Sequence, residues 1–315
     1  MDNNEKLDAV AGLEVIKNIF DPIFVNNTAS IEFLCKRGYL KSSILCYNCD
    51  HPALLKKSLD DLNNYFYKCN KKNCRRKISI FSLLNYRVPK LKICYILRSC
   101  WFFTCNISNY FAFPNSCMSE QTYIKVRKIY VEACKNVVLT NRKKLGGENK
   151  CLQIDETAFK KGKIITNPSS ISDGDPNIIW LLGVVEEDKG NIFLEFIKDR
   201  TKNTISNFIY ENILPLSTIK TDGFASYPKA IEENKMKHII VNHNKGFRNA
   251  LGHTTNTIEG LWSLLKYDIK KRKGINRDIL ENYIFEFMWK YKYVKSNNNL
   301  SWNSGFLLLL KELFK

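Results

Sequence analysis

The chain has 315 residues, 44% of them hydrophobic, enough for packed cores in two or three domains. Its formal net charge of +18 is uneven: residues 1–40 carry −2, residues 41–150 carry +15 and residues 151–315 carry +5. That concentration excludes an evenly basic protein and points to a nucleic-acid-binding segment beside a region that must itself hold carboxylates.

The acidic start Met1-Asp2-Asn3-Asn4-Glu5 has no apolar leader. No stretch reaches the roughly 20 apolar residues of a membrane span, and the nearest, 93–105, is broken by Arg98. The expectation is a protein that is neither secreted nor membrane-bound. It would work in a reducing compartment, the nucleus of a eukaryote or otherwise the cytoplasm and nucleoid.

Residues 1–40 read as an N-terminal helical segment. Residues 41–80 hold Cys46-Tyr47-Asn48-Cys49 and Cys69-Asn70-Lys71-Lys72-Asn73-Cys74, a C-x2-C-x19-C-x4-C pattern. Two close pairs on two knuckles suit one tetrahedral Zn2+ in a closed, structural ribbon, with Tyr65-Phe66-Tyr67-Lys68 as a strand. Lys71, Lys72, Arg75, Arg76 and Lys77 would present charge to a phosphate backbone. His51 is expected at the surface, and the other seven cysteines (Cys35, Cys94, Cys100, Cys105, Cys117, Cys134, Cys151) as small core residues.

Residues 81–140 read as a helical block. Leu91, Tyr95, Leu97, Trp101 and Phe102 suit one helix. Ser119 is the expected N-cap of another, running through Tyr123, Val126, Ile129, Tyr130 and Ala133. With Lys125, Arg127 and Lys128 on that last helix, the block is either helix-turn-helix-like, with the helix in a major groove, or a helical linker with a solvated basic face. The polar stretch 141–150 reads as a linker.

From residue 151 the pattern changes. Strands are predicted over 151–159, 178–187 and 191–198, then an amphipathic helix over 203–213 with Ile205, Phe208, Ile209 and Ile213 on one face. A fourth strand, 217–222, a short helix, 227–234, a fifth strand, 238–242, and a long helix, 256–272, follow. Three strands in a meander and then α/β units describe a ribonuclease H-like α/β domain over 151–295, with a C-terminal helix over 296–315.

Three acidic residues fall at telling places in it. Asp155 sits inside an apolar strand, Asp222 ends the fourth strand, and Glu259 lies in the first turn of the late helix. A single Asp after a strand is ordinarily a turn or cap residue. Three carboxylates on two strands and a helix can instead converge on a pair of divalent metal ions, the equipment for in-line attack on a phosphodiester. Lys266 lies two turns after Glu259 on roughly the same face, placed to hold a phosphate. Asn256 and His253 precede Glu259, either orienting substrate or serving as cap and loop residues. Trp262 and Leu265 are expected to pack the helix on the sheet, and Lys270, Lys271, Arg272 and Lys273 to form a solvated helix end.

These stretches resemble the DDE transposases of the ISXO-like and Merlin group, within the retroviral-integrase superfamily. The resemblance is carried by Ile154-Asp155-Glu156-Thr157, by Thr221-Asp222-Gly223-Phe224-Ala225-Ser226-Tyr227 and, most specifically, by His253-Thr254-Thr255-Asn256-Thr257-Ile258-Glu259-Gly260-Leu261-Trp262-Ser263-Leu264-Leu265-Lys266. It extends upstream to the four cysteines and Glu32-Phe33-Leu34. Where that group has a short basic glycine-containing turn, residues 160–176 here are expected to form a longer loop. The resemblance implies cut-and-paste transposition: Asp155, Asp222 and Glu259 binding two Mg2+ or Mn2+ ions, and double-stranded DNA, both terminal inverted repeats and target, as partner. A homodimer or higher oligomer on DNA goes with it. The rival readings are a domesticated transposase that binds DNA without cutting it, and a ribonuclease H-type nuclease or resolvase.

Overall fold

In a computed structural model that describes residues 18–58, 60–165, 175–188, 190–241, 254–295 and 301–314, the chain divides into two units, Met1–Val137 with Tyr293–Lys315, and Val138–Lys292.

The first unit opens with α1 (Asn27–Lys36), started by the Asn26 side chain, which accepts from the Ala29 N–H at 3.1 Å. Four short antiparallel strands follow in sequential order: β1 (Ser43–Leu45), β2 (Pro52–Lys57), β3 (Tyr65–Cys69) and β4 (Lys77–Ile78). The strand expected at Tyr65–Lys68 is β3. Next come α2 (Ile93–Thr104), a helical turn at Asn109–Ala112 and α3 (Glu120–Thr140). On α2 the buried side is Ile93, Cys94, Ile96, Leu97, Cys100, Trp101 and Phe103, whereas Tyr95 and Phe102 are only half-buried. The helix is therefore rotated from the face its aromatics suggested. Ser119 does open α3, its hydroxyl oxygen accepting from the Thr122 N–H at 3.4 Å.

The C-terminal helix (Ser301–Leu313) closes this unit. Phe306 packs on Phe24 and Trp101 with ring centroids 5.9 and 5.4 Å apart, the Asn85 N–H donates to the Leu313 carbonyl and the Tyr39 hydroxyl to that of Leu307. Aromatic edge-to-face packing of this kind adds to the area each ring removes from water. Cys94, Cys100 and Cys134 are buried as expected, but Cys117 is exposed, in a left-handed turn.

The second unit is built on a six-stranded mixed sheet. Its strands are β6 (Cys151–Lys160), β7 (Lys163–Ile164), β8 (Ile178–Glu186), β9 (Ile192–Ile197), β11 (Thr218–Thr221) and β12 (Lys237–Ile240), in the order β12-β11-β6-β8-β9 with β7 paired to β6. The meander β6-β8-β9 is antiparallel, and β11 and β12 run parallel to β6. This is the strand order and direction set of the expected ribonuclease H-like sheet. Helices α4 (Lys202–Asn212), α5 (Ser226–Glu233), α6 (Asn256–Lys271) and α7 (Arg277–Tyr293) complete the unit. Ile154, Leu181, Val184 and Ile219 of the sheet share one core with Ile205, Ile209, Ile231, Leu261 and Leu265 of the helices.

Two connections differ from expectation. The 160–176 segment begins not as loop but as a tight hairpin: Lys161 and Gly162, both at positive φ (50° and 72°), turn β6 into β7. A Cβ on Gly162 would lie 2.1 Å from the Ile275 carbonyl oxygen, so only glycine fits. The stretch 141–150 is anchored rather than free: β5 (Leu145–Gly146) pairs in parallel with β10 (Ile213–Leu214), and the Arg142 guanidinium lies 4.2 Å from the Phe193 ring centroid. Asn242, the expected end of the fifth strand, and His253 lie outside the described residues.

Candidate active site

Strand alternation divides β6 into two working faces. Gln153 and Asp155 face α6, while Glu156 faces Arg200 and Tyr227 of α5. In the ladder Lys220 of β11 sits beside Gln153. Continuing that parallel register by two residues brings Asp222, just past the end of β11, alongside Asp155. The two carboxylates are close enough to repel. Burial, then the charges of Glu156 and Asp222, push the Asp155 carboxyl well above the ordinary carboxylate range, against the opposing Trp262 hydrogen bond. The Asp222 carboxylate accepts from the Phe224 N–H at 3.0 Å, which shapes the loop leaving the strand.

Glu259 lies in the first turn of α6, and its carboxylate does not converge with those of Asp155 and Asp222 into one metal-ligand group. The helix has no cap from its own N-cap residue Thr255; a side chain of the sheet replaces it. Gln153 Oε1 accepts from the Ile258 N–H at 2.9 Å, and its Nε2 donates to the Thr254 carbonyl at 3.1 Å. One turn further, Trp262 Nε1 donates to Asp155 Oδ2 at 2.9 Å. The indole lies over Gly183, the β8 residue paired with Asp155, where a Cβ would sit 2.6 Å from Trp262 Cη2. Thr255 Oγ1 donates to Glu259 Oε1 at 2.9 Å. Lys220 holds Glu187 through 2.8 and 2.9 Å contacts, and Gln153 Nε2 donates to the same carboxylate at 2.5 Å.

On the opposite face Glu156 is buried between Arg200, whose Nη1 is 3.4 Å from Oε1, and Tyr227, whose hydroxyl donates to Oε2. Sequence reading left Gln153, Arg200 and the bond between Trp262 and Asp155 unassigned. A buried Gln and Glu flanking an Asp in an otherwise apolar strand were the available signal.

The second cluster is the thiol set. Cys46, Cys49, Cys69 and Cys74 bring their sulfurs within 4.8 Å of one another, the one such group of metal-ligand atoms among the described residues. Cys74 is drawn down to about 6 by the Arg76 backbone N–H, while burial pushes Cys69 up to about 12. His51 stays outside, exposed, its Nδ1 2.9 Å from the Cys49 carbonyl oxygen. Four convergent thiols from two knuckles fit a tetrahedral soft cation.

The remaining sequence candidates scatter over the surface. Lys125 and Lys128 are exposed on α3, but Arg127 is half-buried, its guanidinium 5.1 Å from the Phe103 ring centroid. Arg75 is exposed in a left-handed turn, whereas Arg76 stacks 4.8 Å over the Tyr47 ring and donates to Asn48. Asn256 is exposed and Lys266 half-buried on α6.

Against known families, residues 121–292 match the ISXO2-like transposase domain. The chain belongs to that family. The ISXO2-like domain thus takes in α3, the whole sheet and α6. Among curated proteins, an uncharacterized transposase-like protein of Haemophilus influenzae is 26% identical over 128 residues, 40% of this chain and 96% of that protein. Among solved structures, the magnesium-complexed HTLV-2 integrase catalytic core in its dimeric form overlays 50% of this chain and 97% of its own at 17% identity and a TM-score of 0.33. A chain of the simian T-cell lymphotropic virus intasome with a PP2A regulatory subunit overlays at 15% identity and the same TM-score of 0.33. There the ISXO2-like chain spans only 57% of its counterpart's length. Overlays this loose carry no functional weight. No helix among the described residues is long and apolar enough to cross a membrane.

Proposed function

We propose that the protein is a DNA transposase of the DDE type, cutting at the ends of its element and joining them to target DNA. What supports this reading is the repulsion between Asp155 and Asp222, which the β6-β11 register extended by two residues sets side by side, together with the bond from Trp262 of the Glu259 helix to Asp155. Two half-buried, mutually repelling carboxylates are a poor core and a reasonable start for a cation site, which Glu259 would complete on binding. Asp155, Asp222 and Glu259 would hold the Mg2+ or Mn2+ ions. When bound, such ions supply a nucleophilic oxygen at neutral pH and stabilise the leaving oxygen of a phosphodiester. The protein's own part is to hold the three carboxylates: Trp262 and Thr255 each fix one oxygen, and Gln153 seats the helix. Lys266, on the face of Glu259, would orient a flanking phosphate.

Cys46, Cys49, Cys69 and Cys74 would hold one structural Zn2+, making the four-stranded sheet a zinc ribbon. Lys125, Lys128 and Arg75 supply exposed charge for terminal-repeat and target DNA, and the working form would be a dimer or larger assembly on DNA. A strand-cleavage assay on the element's flanking ends with Mg2+ or Mn2+ tests the reading. The wild-type chain should nick those ends, and Asp155→Asn, Asp222→Asn and Glu259→Gln should bind DNA without nicking it. Cleavage by the Glu259→Gln chain at the wild-type rate would overturn it. End-specific binding with no cleavage by the wild-type chain would leave a DNA-binding protein instead.

A further inference from the structure

A buried group, Arg200 with Glu156 and Tyr227, lies behind the strand that carries Asp155. Arg200 is 6% exposed along its side chain, as is Glu156. Its guanidinium is held on two sides, 3.9 Å from the Trp180 ring centroid and 4.6 Å from that of Phe224. Phe224 and Tyr227 belong to the segment that leaves Asp222, and their rings meet edge-on at 6.2 Å. That segment is therefore fastened to β6 from behind at two points. Phe224 lies on Arg200, which pairs with Glu156, and Tyr227 bonds Glu156 directly. Glu156 is the residue next to Asp155, and the Phe224 N–H holds the Asp222 carboxylate. Each aspartate is one residue or one hydrogen bond away from the same buried node.

The charges are divided accordingly. Arg200 pairs with Glu156 on the far face of the sheet, opposite the face that carries Asp155. An arginine on the near face would occupy the place of a cation; one on the far face fixes the frame and leaves the carboxylates for metal.

We propose that Arg200, Glu156 and Tyr227 are positioning residues that set the separation of Asp155 and Asp222 and so the affinity of that pair for divalent metal. The proposal rests on the metal-site reading above. The experiment is calorimetric titration of Mn2+ into the full-length chain, with thermal unfolding measured on the same samples. Tyr227→Phe removes one hydroxyl and keeps the ring. Arg200→Lys keeps the charge but loses the planar group that two rings clamp. Both variants should bind Mn2+ about 10- to 100-fold more weakly while remaining folded, the range seen when a ligand's supporting hydrogen bonds are removed. Asp155→Asn should abolish the binding. A merely structural network would lower the unfolding temperature and leave the Mn2+ affinity of the folded chain unchanged; that result overturns the proposal while the metal site stands. Should Tyr227→Phe not fold, Arg200→Lys decides alone. Absence of Asp155-dependent Mn2+ binding in the wild-type chain removes the metal site and this inference together.

Discussion

The Trp262 indole nitrogen donates a 2.9 Å hydrogen bond to Oδ2 of Asp155, joining helix α6 to strand β6 at the point where the candidate site forms. Glu259 lies one turn before Trp262 on that helix. The bond therefore fixes the helix that carries Glu259 to the strand that carries Asp155.

Trp262→Phe should keep most of the packing over Gly183 and lose only the bond. DNA cleavage is expected to fall about 10- to 100-fold, the range for supporting partners of a metal ligand, with end binding unchanged. Gly183→Ala acts on the same contact from the other side, because its Cβ would sit 2.6 Å from the indole. It should destabilise the chain by about 1–3 kcal/mol through overpacking and reduce cleavage as well. Denaturant unfolding with a nicking assay on each variant checks both.

Gln153→Leu fills similar volume without the amide. It leaves the Ile258 N–H and the Thr254 carbonyl without the partners they have now. A stability loss of about 1–3 kcal/mol is expected for buried polar groups stranded in this way, larger than for an exposed cap. Urea unfolding gives the number. A loss below the scatter of the measurement would mean that α6 starts without help from the sheet.

Asp155→Asn should stabilise the metal-free protein at neutral pH. The folded-state pKa of Asp155 is raised by burial and by Glu156 and Asp222, so the native state binds its proton more tightly than the unfolded chain. Stability then falls as pH rises from the ordinary carboxylate range through the elevated folded value. The advantage of the Asn variant should grow over that interval and vanish in acid. Added Mn2+ should shrink it, by stabilising only the wild type. Thermal scans across pH with and without Mn2+ are the check.

Cys69→Ser should release one Zn2+ per chain and destabilise the first unit, since binding free energy in such ribbons is folding free energy. Metal analysis of the purified protein and of the variant measures it. A folded wild type without zinc would end the ribbon reading.

Lys125→Ala and Lys128→Ala should each lower the salt dependence of DNA binding by about 0.9 in log K per decade of salt, as expected for one lost phosphate contact. Should Lys125 reach a base edge, its loss would also blur discrimination between matched and scrambled ends. Arg127→Ala should act mainly on stability, because its guanidinium is half-buried over the Phe103 ring. Binding at two salt concentrations on both kinds of DNA separates these outcomes.

Much of the second unit could be read directly from residues 151–272. The strand expected at 151–159 is β6, the helix expected at 203–213 is α4, and the meander has the expected directions. Apolar runs bounded by Gly and Asp announce such elements because strands and helices have fixed periods. Side-chain partners across the sheet have no such signature. That Gln153 would cap a helix 105 residues away, or that Arg200 would lie between Trp180 and Phe224, depends on tertiary packing that one-dimensional periodicity does not encode. The rotation of α2 escaped for a related reason. Tyr95 and Phe102 look like core residues, yet the smaller Cys94, Ile96 and Cys100 face inward, and Phe306, more than 200 positions downstream, fills the space beside Trp101.

That downstream partner has a consequence for biogenesis. During synthesis residues 138–292 leave the ribosome before the helix Ser301–Leu313 that closes the first unit. The six-stranded sheet can mature on its own schedule, while Phe24 and Trp101 wait for Phe306. A chain that stalls near residue 295 would carry a finished second unit and a first unit whose aromatic core is still open, a species suited to capture by chaperones or proteases.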